Sequence, residues 1–247
     1  MKRTVLALII AVAAILVISA AAGIAISMFD LAIDKEYLQL AQEKLNVEKA
    51  IKSELPSIQK DFSEQHEAWG LKDKSQIPTT IGNAYKVYPV KPNFVEIFNN
   101  EKTFAKCFDN NATYWEIPLK NRNGEVINTA KVAFFEGKWQ TVIIGLDLPT
   151  GDVAFSSDKN QISNLLAKAN IRGVNSVKHL RTGIPKLDII YIDSNSGEYL
   201  IPMSTRPDIF GKLSMRFVYK ADEFVNLVKD YYKPLPESGE NGPTMVH

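Results

Sequence analysis

The residues of this 247-residue chain whose types suit catalysis or metal binding are few, and their spacing excludes more than it offers. There are three histidines, His66, His179 and His247, and one cysteine, Cys107. A structural zinc site draws on clustered Cys and His donors. Here they are scattered, and although His66-Glu67 begins a zinc-protease signature, the position for its second histidine is Gly70. No metal-ligand set and no cofactor site is expected. Cys107 has no partner for an intramolecular disulfide and, beside Phe104 and Phe108, reads as a small core residue. Gly-x-Ser-x-Gly, Walker and Gly-x-Gly-x-x-Gly patterns are absent from the chain, so it lacks those signatures of hydrolysis and nucleotide binding.

The acid/base candidates are Asp188, Asp193 and Glu198, around the run Ser194-Asn195-Ser196-Gly197. An EF-hand loop needs glycine sixth and glutamate twelfth. Counted from Asp193, Gly197 is fifth and Ser204 is twelfth, so the run reads as a hairpin turn. Carboxylates near Asp188–Glu198 serving an extracytoplasmic hydrolase form the alternative functional reading. Against it, Asp188 and Asp193 are five apart, and an ideal strand sends such residues to opposite faces.

Charge distribution says more. Lys159, Lys168, Arg172, Lys178, Arg181 and Lys186 fall in one stretch, Lys159–Leu187, of 29 residues without an acid. They are the candidate patch for an anionic partner, whether lipid headgroups, an acidic surface polymer, an envelope protein or the acidic helical stalk of the same or a neighbouring molecule. The competing reading is six separately solvated side chains on a helix, a loop and a strand, and burial of the strand face carrying Val177, His179 and Arg181 is what separates the two. The whole chain has a net charge of only +1, which argues against a globally basic nucleic-acid binder.

These residues must be positioned by the elements around them. Thr4–Phe29 is an uncharged run of 26 residues; as a helix it reaches about 39 Å, enough to cross a hydrocarbon core of about 30 Å with tilt. Lys2 and Arg3 precede it, whereas Asp30, Asp34 and Glu36 with Lys35 follow. The positive-inside bias places the N-terminus in the cytoplasm and the rest outside. An uncleaved signal-anchor is expected, with a cleaved, secreted domain as the alternative. Ser19, Gly23 and Ser27 recur every four residues in the span and Leu31, Leu38 and Leu45 every seven beyond it, a candidate surface for helix self-association and a homodimer.

The pattern then divides the chain into five parts: a cytoplasmic tip and anchor over 1–29, a helical stalk over 30–69 with a kink or break at Pro56, a linker over 70–83, an α+β domain over 84–232 and a disordered tail over 233–247. Strands are expected at Ala84–Val90, Thr113–Leu119, Glu125–Phe135, Trp139–Leu148, Val174–Thr182, Leu187–Asp193, Glu198–Met203 and near Met215–Tyr219, the central meander being marked by Asn123-Gly124 and Gly137. A mixed, partly helical piece covers Phe94–Phe108, and helices are expected at Lys159–Asn170, capped by Asp158, and at Ala221–Tyr232. Helix followed by three strands occurs twice, which suggests antiparallel sheet in two α-β-β-β units with helices packed on it. The function read from this layout is a single-pass, membrane-anchored extracytoplasmic binding or accessory protein without an evident catalytic site. If the acid-free stretch binds an anionic ligand, Arg172→Glu with Lys178→Glu should weaken that binding strongly and in a salt-dependent way; no change in a cosedimentation assay would reject it.

Overall fold

The computed structural model describes residues 40–232 except Gly70, Lys72, Ala112 and Thr205. The run 4–29, Ser19, Gly23, Ser27, Leu31 and Leu38 lie outside these residues. Among the described residues no helix is long and apolar enough to cross a membrane.

Residues 40–64 form a helix, α1, that continues through Pro56. The expected break is therefore absent: Pro56 removes one hydrogen-bond donor, but the apolar residues on both sides of it are buried and hold the helix in place. Val47, Ile51, Ile58 and Phe62 make that stripe, whereas Leu45 is 60% exposed on another side. The stripe continues into Trp69, which stacks on Phe62 at 4.5 Å and donates from Nε1 to Asp61 at 3.1 Å. Within the expected linker, Thr80–Ile81 forms a short strand, β1. Glu48, Lys52 and Leu55 of α1 face β1 across an open pocket of about 470 Å³.

The rest of the chain follows the turn chemistry closely. β2 is Tyr85–Pro89 and α2 is Phe94–Glu101; then β3 (Tyr114–Lys120), β4 (Val126–Phe135) and β5 (Lys138–Ile144) form the meander. Glu136 and Gly137 both have positive φ, +50° and +81°, the geometry of a two-residue hairpin turn. An unanticipated helix, α3 (Thr150–Ser157), runs directly into α4 (Lys159–Lys168). Asp158 sits between them in extended backbone and caps α4, accepting from Asn160 N–H at 2.9 Å and Gln161 N–H at 3.4 Å. β6 (Val174–Arg181), β7 (Asp188–Ser194), β8 (Gly197–Met203), β9 (Tyr219–Lys220) and α5 (Ala221–Val228) complete the fold.

The two runs of strands join into one nine-stranded sheet in the order β5-β4-β3-β2-β6-β7-β8-β9, with β1 on β3. Every pairing is antiparallel except β2 with β6, which are parallel through Val87↔His179 and Pro89↔Arg181. On one face Ile190, Ile192, Ile201 and Met203 meet Val153, Phe155, Ile162 and Leu166 of α3 and α4. On the other, Leu180, Ile189, Tyr191 and Leu200 meet Phe94 and Phe98 of α2 and Phe224, Val225 and Val228 of α5. Phe104 is fully enclosed there, about 6 Å from the rings of Phe94, Phe98, Tyr191 and Phe224. Cys107 lies in the same cluster, its thiol directed at the Phe94 carbonyl at 3.4 Å.

One carboxylate fastens that second core to the sheet. Glu198 of β8 accepts from Phe104 N–H at 2.7 Å, Ala105 N–H at 3.0 Å, Thr103 Oγ1 at 2.8 Å and Tyr191 Oη at 2.7 Å. Hydrogen bonds to an ionised acceptor are each worth about 1.5–3 kcal/mol, so Glu198→Ala should lower stability by at least about 2 kcal/mol. For a domain of this size that is a melting-temperature drop of roughly 4–8 °C by circular dichroism; an unchanged midpoint would show that the carboxylate is idle.

Candidate functional site

The strongest concentration of charge in the described residues lies inside the sheet, where β3, β4, β6 and β7 meet. Strand alternation explains its composition. In register, Tyr85 pairs with Glu116, Glu116 with Lys131, and Arg181 with Asp188, so residues from β2, β3, β4, β6 and β7 share one face. Asp147, from the loop after β5, and Lys186, from the loop between β6 and β7, close over them.

Arg181 is the centre. It is 8% exposed, and Glu116 is 1% exposed. Its Nε donates to Asp188 at 2.6 Å, and its Nη1 to Glu116 and Asp147 at 2.6 Å each and to the Tyr114 hydroxyl. Nη2 lies 2.6 Å from the same Asp188 oxygen but has no aligned acceptor. Tyr85 donates its hydroxyl to the other oxygen of Glu116 at 2.8 Å. Asp147 is additionally held by the ammonium groups of Lys131 and Lys186. Three cations thus face three carboxylates, the arrangement that burial of charge demands.

The surroundings tune these groups in different directions. Burial alone would raise the Asp147 carboxyl; hydrogen bonds from Lys131 and Lys186 and the charge of Arg181 outweigh it and hold the group at about 2. Asp188 goes the other way: burial pushes it up to about 7, and Arg181 offsets only part of the penalty. His179, its ring tilted against that of Tyr85 with centroids 4.5 Å apart, is pushed down to about 4 by burial and by the neighbouring guanidinium, so its ring is neutral at neutral pH. Burial drives the Cys107 thiol up to about 12, which leaves it protonated and unsuited to nucleophilic attack.

The six bases of the acid-free stretch are not gathered into one surface. Arg181 and Lys186 are bound into this cluster. Lys178, three residues from Arg181, points to the opposite face, where it lies 5.2 Å over the Tyr88 ring and donates to Asn110 at 3.3 Å. Lys159, Lys168 and Arg172 are exposed, the first two at opposite ends of α4. The hairpin acids separate as well: Asp188 belongs to the ion cluster, whereas Glu198, paired in register with Asp193, points to the other face and holds Phe104 and Ala105. Tyr85, Tyr114, Glu116, Lys131 and Asp147 were not apparent as site residues; the available signal was Glu116 itself, the lone acid of β3, set between Trp115 and Ile117.

An open pocket of about 470 Å³ adjoins the cluster, walled by Tyr114, Lys131 and Arg181 on its polar side and by Ala133, Val142 and Ile143 on its apolar side. Asp188 is not one of its walls. No group of three or more His, Cys, Asp or Glu suited to a metal ion occurs among the described residues. The chain matches no protein-family model, no curated protein and no solved structure, so the geometry stands by itself.

The cluster has a pH signature with two opposed parts. Asp188, raised from its unfolded value near 3.8, contributes stability that is full below that value and is lost as pH rises through about 7. His179, depressed from 6.5, contributes stability that is full above 6.5 and is lost as pH falls through about 4. Besides Arg181, Asp188 faces Glu116, Tyr85, Tyr114, Lys186 and Tyr232. Between pH 4 and 6.5 the two slopes oppose each other. Relative to the parent, His179→Phe should therefore lose stability as pH rises across this window, and Asp188→Asn should gain it, each by up to about 1.4 kcal/mol per pH unit. Urea unfolding at four pH values measures this; parallel curves for all three proteins would overturn it.

Proposed function

We propose that the chain is a single-pass, membrane-anchored extracytoplasmic protein that binds a partner and performs no chemistry of its own. The observation that carries the reading is the closure of the ion cluster: Arg181, Lys131 and Lys186 are matched by Glu116, Asp147 and Asp188 at bonding distance, and none of these carboxylates lines the adjoining pocket. Acid/base catalysis needs titratable groups and a stabilising donor around one reacting atom. A network whose charges are paired internally instead makes a stiff support for a binding surface. The uncharged run Thr4–Phe29 behind Lys2 and Arg3 supports the anchor and its orientation, and the small residues Ser19, Gly23 and Ser27 support pairing of anchors in the bilayer. The exposed cations Lys159, Lys168 and Arg172 favour an anionic polymer or envelope protein as partner over an uncharged one.

The anchor reading is tested on sealed cells. Full-length chain should remain with membranes after alkaline extraction, retain its Met1 end, and lose the domain to protease added from outside. Release into the supernatant with a new N-terminus after residue 20 would establish a cleaved, secreted protein instead. Protection of the domain from external protease would overturn the orientation.

A further inference from the structure

The outer edge of β5 is the one long strand edge that no described strand covers. Its hydrogen-bonding groups can be assigned from the turn. With Glu136-Gly137 as a two-residue loop, Phe135 and Lys138 form a pair that exchanges both backbone hydrogen bonds. The direction then alternates: N–H and C=O of Lys138 and Gln140 turn toward β4, and those of Trp139 and Thr141 turn outward. Val142 is an extra residue between the pairs Val132↔Thr141 and Lys131↔Ile143, a bulge that ends the regular edge.

Exposed apolar side chains gather along the same hairpin. Phe134 and Phe135 are 59% and 56% exposed, Val142 and Ile143 50% and 51%, and Leu146 just beyond is 44% exposed. They lie on both faces: Phe134 meets Trp139 at 5.3 Å on one side, and Phe135 and Ile143 lie on the other. A lipid surface fits this poorly. The tip of the hairpin, Glu136 to Lys138, is charged, and lipid offers nothing to the outward amides of Trp139 and Thr141. A strand satisfies both the amides and the apolar faces.

We propose that this edge pairs antiparallel with β5 of a second copy of the chain, in the register that sets Gln140 opposite its own counterpart. Trp139 then faces the partner's Thr141 and Thr141 the partner's Trp139, so all the outward N–H and C=O groups of the regular edge are used. Lys138, the single charge of β5, faces the partner's Val142, and no like charges are opposed. Moving the centre to Thr141 would set Trp139 against Ile143, beyond the bulge, and moving it to Trp139 would set Thr141 against the turn glycine. Pairing involves only five residues per strand, so the contact is weak in dilute solution and gains strength where copies are concentrated.

The test is disulfide trapping in the purified full-length chain. Native Cys107 is fully buried and stays silent. Gln140 stands at a non-hydrogen-bonded position, where facing Cα atoms are about 4.5 Å apart and within disulfide reach. Gln140→Cys under mild copper oxidation should give at least about fivefold more linked dimer than Asn164→Cys on the exposed side of α4. Adding Thr141→Pro, which deletes an outward amide without breaking the β4 ladder, should return the yield to that of the control. Adding Val142→Lys instead, which sets a second cation against the partner's Lys138, should do the same with an unchanged melting temperature. Equal trapping at positions 140 and 164, or trapping that Val142→Lys leaves undiminished, would refute the pairing. The outcome does not depend on whether residues 4–29 anchor the chain.

Discussion

The guanidinium of Arg181 is the constraint around which the domain is built. Two antiparallel runs of strands meet side by side at β2 and β6, and the junction buries carboxylates from both: Glu116 from the first run, Asp188 from the second. Neither can remain charged there without a cation, and Arg181, on the strand at the seam, reaches both. Only a planar group with several donors can serve partners in different directions from one position. A lysine there would hold one carboxylate and leave the other exposed to the full cost of desolvation. Asp147 adds a further tie, drawing the loop that leads into α3 over the same point.

This also explains which parts of the molecule were legible in its sequence. The meander β3–β4–β5, the hairpin β7–β8 and the capped start of α4 rest on neighbours a few residues apart, and glycine, asparagine and aspartate announce them. The burial of Cys107 was likewise evident from its aromatic neighbours. Three features depended on distant partners and were hidden. Nothing local requires β2 and β6 to pair in parallel. α3 begins Thr150-Gly151 and has Ala154 as its single strong helix former, so packing against the sheet maintains it rather than propensity. Pro56 reads as a break, but the buried stripe on either side of it carries α1 through.

The acid-free stretch is the instructive case. A count along the chain placed Arg181 with five other bases, as though all six faced the same water. Strand alternation sends Lys178 and Arg181 to opposite faces, and the acids that neutralise Arg181 come from Glu116, Asp147 and Asp188, two of them many residues upstream. A linear charge map holds no information about faces. The more dependable sign was a single acid among large apolar residues, seen at Glu116 between Trp115 and Ile117, since such a residue is stable only beside a partner of opposite charge.

The parallel seam has a consequence for the order in which the chain acquires structure during synthesis. The first run of strands is complete as a meander before the second exists, with β2 an open edge and Glu116, 65 residues ahead of Arg181, without its counter-ion. Until β6 emerges, that half presents unpaired amides and a carboxylate that must stay hydrated. A strand that closed this seam without a guanidinium at the correct register would leave Glu116 without the counter-ion it has in the finished fold. An apolar strand of some other chain would bury the carboxylate unpaired. The same pairing that locks the finished sheet thus makes closure of its unfinished edge by a strand without a cation costly.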